Sequence, residues 1–287
     1  MSGEGRGPRS CCGQVRGGWG ALLLAVGLLA FAGWAQVPQG VVPAVITRWL
    51  DGDTATITFK GTPPEGVGTR ETVRLLGVNA PEVGEHLSEE ATRFFRELTQ
   101  GRVVSVGFNP GKLRDNHRRL LVYVWVETEQ GWQMVNEALL GAGMARLLLY
   151  EHEPEPYGCT FRRAQTLAQV EKLGLWATFS EVLTLFQVEA RPVLYVTQAV
   201  SVNFRVGSVT VDRSGWSLWA EGSRFGFRAL VRGSMCPEAW SEQGWDFFHW
   251  VGKEVVVSGE LLWDSLGGGP RIEVLFPEQL KLSGGSG

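Results

Sequence analysis

The sequence predicts a mainly β protein with supporting helices, of the α+β class, and three observations carry this prediction. The 287 residues exceed one ordinary small domain and suit two. Short β-rich runs separated by turn residues fill residues 44–134 and return after residue 193. Amphipathic helical stretches lie among the first set of runs. Five closely spaced strands with helices are typical of a five-stranded OB-type barrel, and the later strands predict a second, smaller OB-like barrel.

The first region, placed at residues 41–178, contains strands and helices with clear boundary signals. The five predicted strands cover residues 44–50, 54–60, 72–78, 103–108, and 120–126 continuing into 132–134. Helices are predicted over residues 88–98, 135–140 and 161–173. The first helix has Ser88 as its predicted N-cap and Gly101 as its stop signal.

The second region, placed at residues 190–283, follows a predicted linker over residues 181–191. Its predicted strands cover residues 208–211, 217–220, 225–231, 254–262 and 271–275. A tryptophan-rich stretch over residues 238–251 is a helix candidate between two of these strands.

The N-terminal residues 1–35 have the pattern of an export signal. Three arginines precede an apolar run over residues 21–32, and small residues follow it. The run is shorter than the roughly 20 apolar residues that a spanning helix needs. We therefore predict cleavage and an exported monomer (secreted, periplasmic or on the cell surface) without stable membrane association. The alternative is a membrane anchor formed by residues 19–35.

Cleavage of this signal would leave Cys159 and Cys236 as the remaining cysteines. In an oxidising compartment they could form one disulfide. They lie in different predicted domains, however, and we predict two separately buried thiols. The sequence has no CxxC or HExxH motif and no Cys/His cluster, which argues against a zinc site.

The net charge of −3 gives no overall attraction for a polyanion. Any nucleic acid must therefore be held by a local basic patch. The candidate patch consists of Lys112, Arg114, Arg118 and Arg119. Its alternative interpretation is a solvated hairpin loop, which is common for a run of charges.

Three short motifs supply the groups that phosphodiester cleavage needs: a cation held by oxygen ligands, a base that activates water, and cationic donors to the phosphate. Asp53 and Asn79 offer oxygen ligands suited to calcium, and the backbone carbonyl of Ala80 can add another. Glu82 is the candidate base. The candidate phosphate donors are Arg74 and Arg119, because guanidinium groups make paired hydrogen bonds to phosphate. Asp51 is assigned the structural role of holding the turn before Asp53.

The order of these motifs resembles staphylococcal nuclease and its relatives over roughly residues 42–178. The matching segments are DGDT, RLLGVNAPE, RDNHRRLLVYVWV, MVNEALLGAGMA and KLGLW. The resemblance implies a barrel that hydrolyses DNA and RNA with calcium and leaves 3′-phosphate ends. It also implies that Asp53 binds metal, that Arg74 and Arg119 bind phosphate, and that Glu82 activates water.

Two departures from that family affect the expected activity. Asn79 stands where the best-known members have a second metal carboxylate, so calcium affinity is expected to fall. Ala80 follows it where Thr is frequent. Of the nucleotide-stacking positions, Leu149 and Glu151 are not aromatic, which leaves Tyr150 as a binding candidate together with His117.

Two stretches of the second region, residues 251–261 and 269–280, look like the closing strands of OB-type nucleic-acid-binding domains. Such barrels use aromatic platforms and cationic grooves. The candidate contacts are Trp216, Trp219, Phe225, Phe227 and Arg228, although alternating aromatics also pack barrel interiors. The sequence thus predicts a calcium-dependent nuclease, and the alternative is a weakened module that only binds nucleic acid or protein.

Overall fold

The computed structural model describes residues 39–109, 111–149, 156–240, 245–264 and 269–283. All of them belong to one unit that spans residues 34–287. The predicted export signal lies outside the described residues and stays a prediction. Within the described ranges, no helix is long and apolar enough to cross a membrane.

The first part of the described chain contains eight strands. They are β1 Val42–Trp49, β2 Thr54–Phe59, β3 Arg70–Leu75, β4 Gly77–Asn79, β5 Val104–Phe108, β6 Leu120–Thr128, β7 Gly131–Met134 and β8 Arg146–Leu148. Strands β1, β2, β3, β6 and β5 pair in that order, and β5 pairs back to β1. Strands β3 and β6 run parallel, and the other neighbours in this circuit run antiparallel. The predicted five-stranded barrel is therefore confirmed.

Buried apolar side chains alternate with more polar ones along the strands of this barrel. Ala55, Ile57 and Phe59 of β2 are buried, whereas the intervening threonines are half-buried. This alternation follows from the opposite directions of neighbouring side chains in a strand. The alternation of threonine with apolar residues along β2 thus determines which face of the strand joins the core.

Three helices support this barrel: α1 Ser88–Thr99, α2 Val135–Gly141 and α3 Gly158–Val170. Ala91 and Phe95 of α1 are fully buried in the barrel core. The predicted N-cap at Ser88 is wrong, because Ser88 is the first helical residue and Leu87 precedes it with a φ of 67°. This left-handed turn leaves the Ser88 hydroxyl to accept a hydrogen bond from the N–H of Gly84 at 3.3 Å.

A second closed circuit follows in the chain. Its part of the chain contains β9 Val182–Thr184, α4 Leu185–Ala190, α5 Pro192–Tyr195, β10 Ala199–Asp212, β11 Gly215–Ala220, β12 Arg228–Val231, β13 Glu254–Asp264, β14 Gly269–Val274 and β15 Leu280–Leu282. Strands β10, β11, β12, β14 and β13 pair in that order, and β13 pairs back to β10. Strands β12 and β14 run parallel, as β3 and β6 of the first barrel do. Both circuits therefore share one connectivity.

Two predictions for the second region need correction. Residues 181–191 are not a linker, because they contain β9 and α4, and β9 pairs with β10. The tryptophan-rich stretch forms short 3₁₀ turns at Pro237–Trp240 and Phe247–Trp250, and residues 241–244 between them lie outside the described residues. The first half of β10 escaped prediction, although it pairs with β13 over seven residues.

A disulfide joins α3 to the second barrel, which corrects the prediction of two separate thiols. Cys159 and Cys236 are bonded, with their Cα atoms 5.7 Å apart. Arg163 of α3 also forms an ion pair with Glu278 at 2.6 Å, and the Lys172 ammonium donates to the Ala199 carbonyl at 3.2 Å. The long sequence separation hid this proximity, since only the packing of α3 brings the two cysteines together.

Replacing Cys159 and Cys236 by serine is expected to lower the free energy of unfolding by about 2–4 kcal/mol. The bond closes a loop with a sequence separation of 77 residues, so its loss enlarges the unfolded ensemble. Guanidinium titration followed by tryptophan fluorescence measures the change. Reducing agent should shift the wild-type midpoint and leave the serine variant unaltered. Equal unfolding free energies for variant and wild type would contradict the stabilising role.

Candidate active site

The turn between β1 and β2 directs Asp53 toward the segment that follows β4. The N–H of Asp53 donates to Oδ1 of Asp51 at 2.9 Å, which is the turn-holding contact predicted for Asp51. Gly52 is needed at this turn, because a Cβ atom there would lie 2.6 Å from that of Ala80. The absence of a side chain therefore allows the Asp53 turn to pack directly on Ala80.

Arg74 bridges the two side chains predicted to bind metal. Its Nη1 lies 2.9 Å from Oδ1 of Asp53, and its Nη2 donates to Oδ1 of Asn79 at 2.9 Å. Nη1 also donates to the Val78 carbonyl at 2.9 Å. Arg74 and Asp53 are 9% and 6% exposed, respectively. The oxygens of Asp53 and Asn79 thus converge on one small region that the guanidinium reaches from one side.

The Asp53 carboxylate is held by donors on both oxygens. Oδ2 accepts from the N–H of Ala80 at 2.7 Å, and Oδ1 accepts from the Thr54 hydroxyl at 3.0 Å. Burial raises the pKa of Asp53 to about 6, while Arg74 and the N–H of Ala80 act in the opposite direction. The carboxyl is therefore mostly ionised at neutral pH, and the neighbouring Arg74 favours that charged form.

The oxygens around Asp53 fit a hard divalent cation of the calcium type. Calcium takes carboxylate, amide and backbone carbonyl oxygens, and Asp53, Asn79 and the Ala80 carbonyl would supply one of each. Among the described residues, no group of three or more His, Cys, Asp or Glu side chains is placed to hold a metal. A calcium ion at this position would have Asp53 as its one carboxylate ligand, and calcium affinity follows the charge of the ligands.

Arg119 is fixed beside the same cluster by two contacts. Its Nε donates to Oδ2 of Asp115 at 2.7 Å, and its Nη1 donates to the Thr54 hydroxyl oxygen at 3.2 Å. Burial raises the pKa of Asp115, but the hydrogen bonds from Arg119 outweigh it and the net pKa is lowered. Thr54 thus connects Arg119 to Asp53. The contacts with Asp115 and Thr54 together fix the orientation of the Arg119 guanidinium group.

Glu82 lies on the exposed loop after Pro81, next to Asn79 and Ala80. Its N–H donates to Oε2 of Glu85 at 2.9 Å, which shapes the loop. Because the side chain of Glu82 is exposed, it has access to water, as a base that activates a water molecule requires.

Comparison with known proteins relates part of this chain to a described family. Residues 72–178 match the family described as staphylococcal nuclease homologue. The segment is therefore similar to staphylococcal nuclease homologues. The match includes Arg74, Asn79, Glu82 and Arg119 but begins after Asp53, which the structure joins to them through Arg74 and Ala80.

Two endonucleases of Bacillus subtilis (strain 168) are similar to this chain. The SPbeta prophage-derived endonuclease YokF is 32% identical over 144 residues, which cover 48% of this chain and 45% of YokF. Endonuclease YncB is also 32% identical over 144 residues, which cover 48% of this chain and 63% of YncB. The chain therefore spans about half of one curated relative and less than two thirds of the other.

In the basic patch of the first barrel, one arginine, Arg114, anchors the loop, and the tip of that loop is exposed. Arg114 makes paired contacts with Glu71 at 3.0 and 2.8 Å, and it also donates to the Gly66 and Arg118 carbonyls. These contacts hold the loop, so the predicted substrate contact by Arg114 gives way to a structural role. His117 is exposed at the loop tip.

The other predicted substrate contacts of the first barrel differ in whether the structure describes them. Lys112 and Arg118 are exposed, and Arg118 adopts a φ of 65° at the tip of the loop. Tyr150 lies outside the described residues, and Leu149 before it is half-buried. The side chains of Lys112, His117 and Arg118 therefore stay candidates for contact with a strand that passes this loop.

In the second barrel, the structure separates the predicted contacts into interior and surface residues. Phe227 is fully buried and meets Phe204 edge-on at 5.3 Å, so its predicted contact with nucleic acid is wrong. The ring of Trp216 packs against Phe247 and Phe248 at 5.7 and 5.2 Å. Trp216 lies on the same face of β11 as buried Leu218, since neighbouring side chains of a strand alternate between core and surface, whereas Phe227 directly precedes β12.

The outer face of this barrel carries a row formed by Trp219, Arg228 and Arg271. Trp219 pairs in register with Arg228, and Arg228 pairs with Arg271. The Arg228 guanidinium lies 4.7 Å from the centre of the Trp219 ring. Phe225 contacts Trp263 nearby at 5.6 Å. The row thus combines an aromatic ring with two guanidinium groups, of which that of Arg271 is paired with Glu273 at 3.2 Å.

Sequence reasoning missed three residues around the candidate active site. Thr54 and Asp115 orient Arg119, and Arg146 lies directly opposite Asn79 in the pairing of β4 with β8. The spacing of four residues between Asp115 and Arg119 was an available signal for that pair. No local signal existed for Arg146, because the pairing of β4 with β8 depends on the tertiary fold.

Proposed function

We propose that the chain is a calcium-dependent nuclease that hydrolyses phosphodiester bonds of DNA, RNA or both and leaves 3′-phosphate ends. The observation that carries this proposal is the cluster around the Asp53 carboxylate. Arg74 contacts this carboxylate directly, and Arg119 is connected to it through the hydroxyl group of Thr54. The endonuclease names of both similar proteins support it.

Each arginine has a distinct role in this proposal. Asp115 and Thr54 fix two nitrogens of Arg119, and its Nη2 would donate to a non-bridging phosphate oxygen. Arg74 would exchange its hydrogen bond with Asn79 for one with the phosphate. Both guanidinium groups then stabilise the charge that develops on the pentacoordinate phosphorus.

Glu82 acts as the general base in the proposed reaction. It takes one proton from a water molecule, and the water oxygen forms a bond to phosphorus. The bond from phosphorus to the 5′ oxygen breaks, and that oxygen takes a proton from a solvent water and leaves as a 5′ hydroxyl, while Glu82 returns its proton to the solvent. Calcium, when bound by Asp53, Asn79 and the Ala80 carbonyl, supplies positive charge to the phosphate.

Digestion of single- and double-stranded DNA and RNA with calcium or with EDTA tests this function. We expect cleavage with calcium and none with EDTA. Intact strands under both conditions would contradict the proposal. They would favour the alternative, a module that binds nucleic acid without turnover, which Asn79 supports because it lacks the negative charge of a carboxylate.

Asn79→Asp is expected to lower the calcium concentration for half-maximal activity by about tenfold or more. An added charge about 4 Å from a cation contributes between about 1 and 4 kcal/mol, depending on solvent exposure. Calorimetric titration of calcium into the protein measures the affinity directly. The control is Asn116→Asp, which makes the same change on the exposed loop tip. Unchanged or weaker calcium binding by Asn79→Asp would remove residue 79 from the metal ligands.

Trp219→Ala is expected to raise the KM for long single strands by about tenfold, because base stacking contributes about 1–3 kcal/mol per base. Hydrolysis of a dinucleotide should change little, since it is too short to reach both barrels. Phe186→Ala is the control, because Phe186 is an aromatic residue of this region that is 81% exposed. An equal effect of Trp219→Ala on long and short substrates would contradict the proposed substrate-holding role.

We also propose that the protein is exported. The disulfide between Cys159 and Cys236 supports this, because such bonds persist in oxidising compartments. Cell fractionation with N-terminal sequencing should find a mature chain that begins near residue 36 outside the cytoplasm. An intact N-terminus in the cytoplasmic fraction would contradict export.

A further inference from the structure

A cleft of about 500 Å³ opens directly beside the candidate active site. Asn79 and Ala80 form part of its wall, together with Arg146. Gln198, which immediately precedes β10, contributes to the same wall from the second barrel. The cleft therefore runs from the proposed reaction centre to the junction of the two barrels.

Arg146 is held in a defined position in this cleft. The pairing of β4 with β8 places it opposite Asn79, and its guanidinium lies 4.6 Å from the centre of the Trp176 ring. Trp176 is only 3% exposed, whereas Arg146 is exposed. A buried ring thus fixes a cation that faces solvent, which lowers the entropy cost of binding an anion.

Two carboxyl groups lie near this arginine and could compete for its charge. Glu85 shares the cleft wall, but its carboxylate accepts the N–H of Glu82. Burial raises the pKa of Glu260 in the second barrel, and Arg146 acts against that rise. Arg146 is the only lysine or arginine among the described residues of the cleft wall. The wall also contains the exposed side chain of His86. Arg146 supplies the guanidinium of the cleft, which can form paired hydrogen bonds to a phosphate.

We infer that this cleft binds the phosphodiester next to the scissile one in a nucleic-acid strand, with Arg146 as its phosphate contact and Gln198 as a contact from the second barrel. This inference rests on the proposed nuclease function. A strand whose scissile phosphate lies between Arg74 and Arg119 would continue past Asn79 into the cleft. The volume lies within the range of about 300–1,000 Å³ that holds small ligands, which is enough for one nucleotide.

The test compares Arg146→Gln with wild type on two substrates. One is a decanucleotide, and the other is an aryl phosphodiester of thymidine that has a single phosphate. We expect the KM for the decanucleotide to rise about tenfold with kcat within about twofold, as loss of uniform binding predicts. The single-phosphate substrate should respond less than about twofold. The slope of log affinity against log salt should also fall by about 0.7, because one phosphate contact is lost.

Two variants make the result specific. Arg102→Gln removes the same charge from an exposed residue that follows α1, and it should leave both substrates unaffected. Arg146→Lys keeps the charge and should recover most of the decanucleotide affinity. Thermal melting shows whether each variant is folded. Equal KM values for Arg146→Gln and Arg102→Gln on the decanucleotide would overturn the inference, as would an equal loss on both substrates.

Failure of the nuclease function gives a different result. If wild type cleaves neither substrate with calcium, the proposed hydrolysis is wrong. Fluorescence anisotropy of a labelled decanucleotide then tests the proposed phosphate contact in the cleft, because it measures binding without hydrolysis. Weaker binding by Arg146→Gln than by Arg102→Gln supports the cleft, and equal binding overturns it.

Discussion

Glu82→Gln is expected to lower kcat by about 100-fold or more, which is the range that a positioned general base contributes. The amide keeps the size of the side chain but does not accept a proton from water at neutral pH. The exposed position of Glu82 and its backbone contact with Glu85 indicate that the substitution leaves the fold intact. Initial rates of decanucleotide hydrolysis under saturating calcium measure the effect.

Glu89→Gln is the matched control for this variant. Glu89 is an exposed glutamate in the first turn of α1, and its substitution should leave kcat unchanged. A Glu82→Gln enzyme that retains turnover within a few fold of wild type would exclude Glu82 as the base.

Arg119→Lys is expected to reduce kcat by about 100-fold to 1,000-fold, the usual cost of removing one donor to a transition-state oxyanion. The guanidinium contacts Asp115 and Thr54 at the same time, at 2.7 and 3.2 Å, and it has a further amino group for the phosphate. A lysine ammonium is a compact point charge and does not span these positions. Steady-state kinetics with a decanucleotide separate the loss of kcat from any change in KM.

Arg102→Lys provides the comparison for Arg119→Lys. Arg102 is an exposed arginine that follows α1, so the same substitution should change kcat less than about threefold. Similar kcat values for the two variants would contradict a transition-state role for Arg119.

The strands that could be predicted from sequence were those with local signals. Alternating polarity in β2 and the turn residues around it defined both its ends and its buried face. The first half of β10 lacked that signal, because the residues from Ala199 to Val202 are buried without interruption. Periodicity of two fails when a strand is covered on both faces.

Long-range contacts explain most of what the sequence left open. Cys159 and Cys236 gave no local sign of pairing, since packing of α3 on the second barrel brings them together. Phe225 and Phe227 read alike as aromatics of one strand. The structure buries Phe227 in the core and places Phe225 against Trp263.

The candidate site was predictable in its residue types but not in its internal contacts. The motif order indicated Asp53, Arg74, Asn79, Glu82 and Arg119, and the structure brings Asp53 and Asn79 to the same guanidinium. The bridging by Arg74 follows from tertiary packing around buried Asp53. Arg114 looked like a phosphate ligand in the sequence, but its partner Glu71 lies 43 residues earlier.

Hydrolysis of a decanucleotide in water enriched with ¹⁸O, followed by mass spectrometry of the products, tests the central claim most directly. If Glu82 activates water to attack phosphorus with departure of the 5′ oxygen, the products have 3′-phosphate and 5′-hydroxyl ends. The 3′-phosphate then gains one ¹⁸O atom per cleavage. Products with 5′-phosphate ends, or 3′-phosphates without the label, would contradict the proposed reaction at this site.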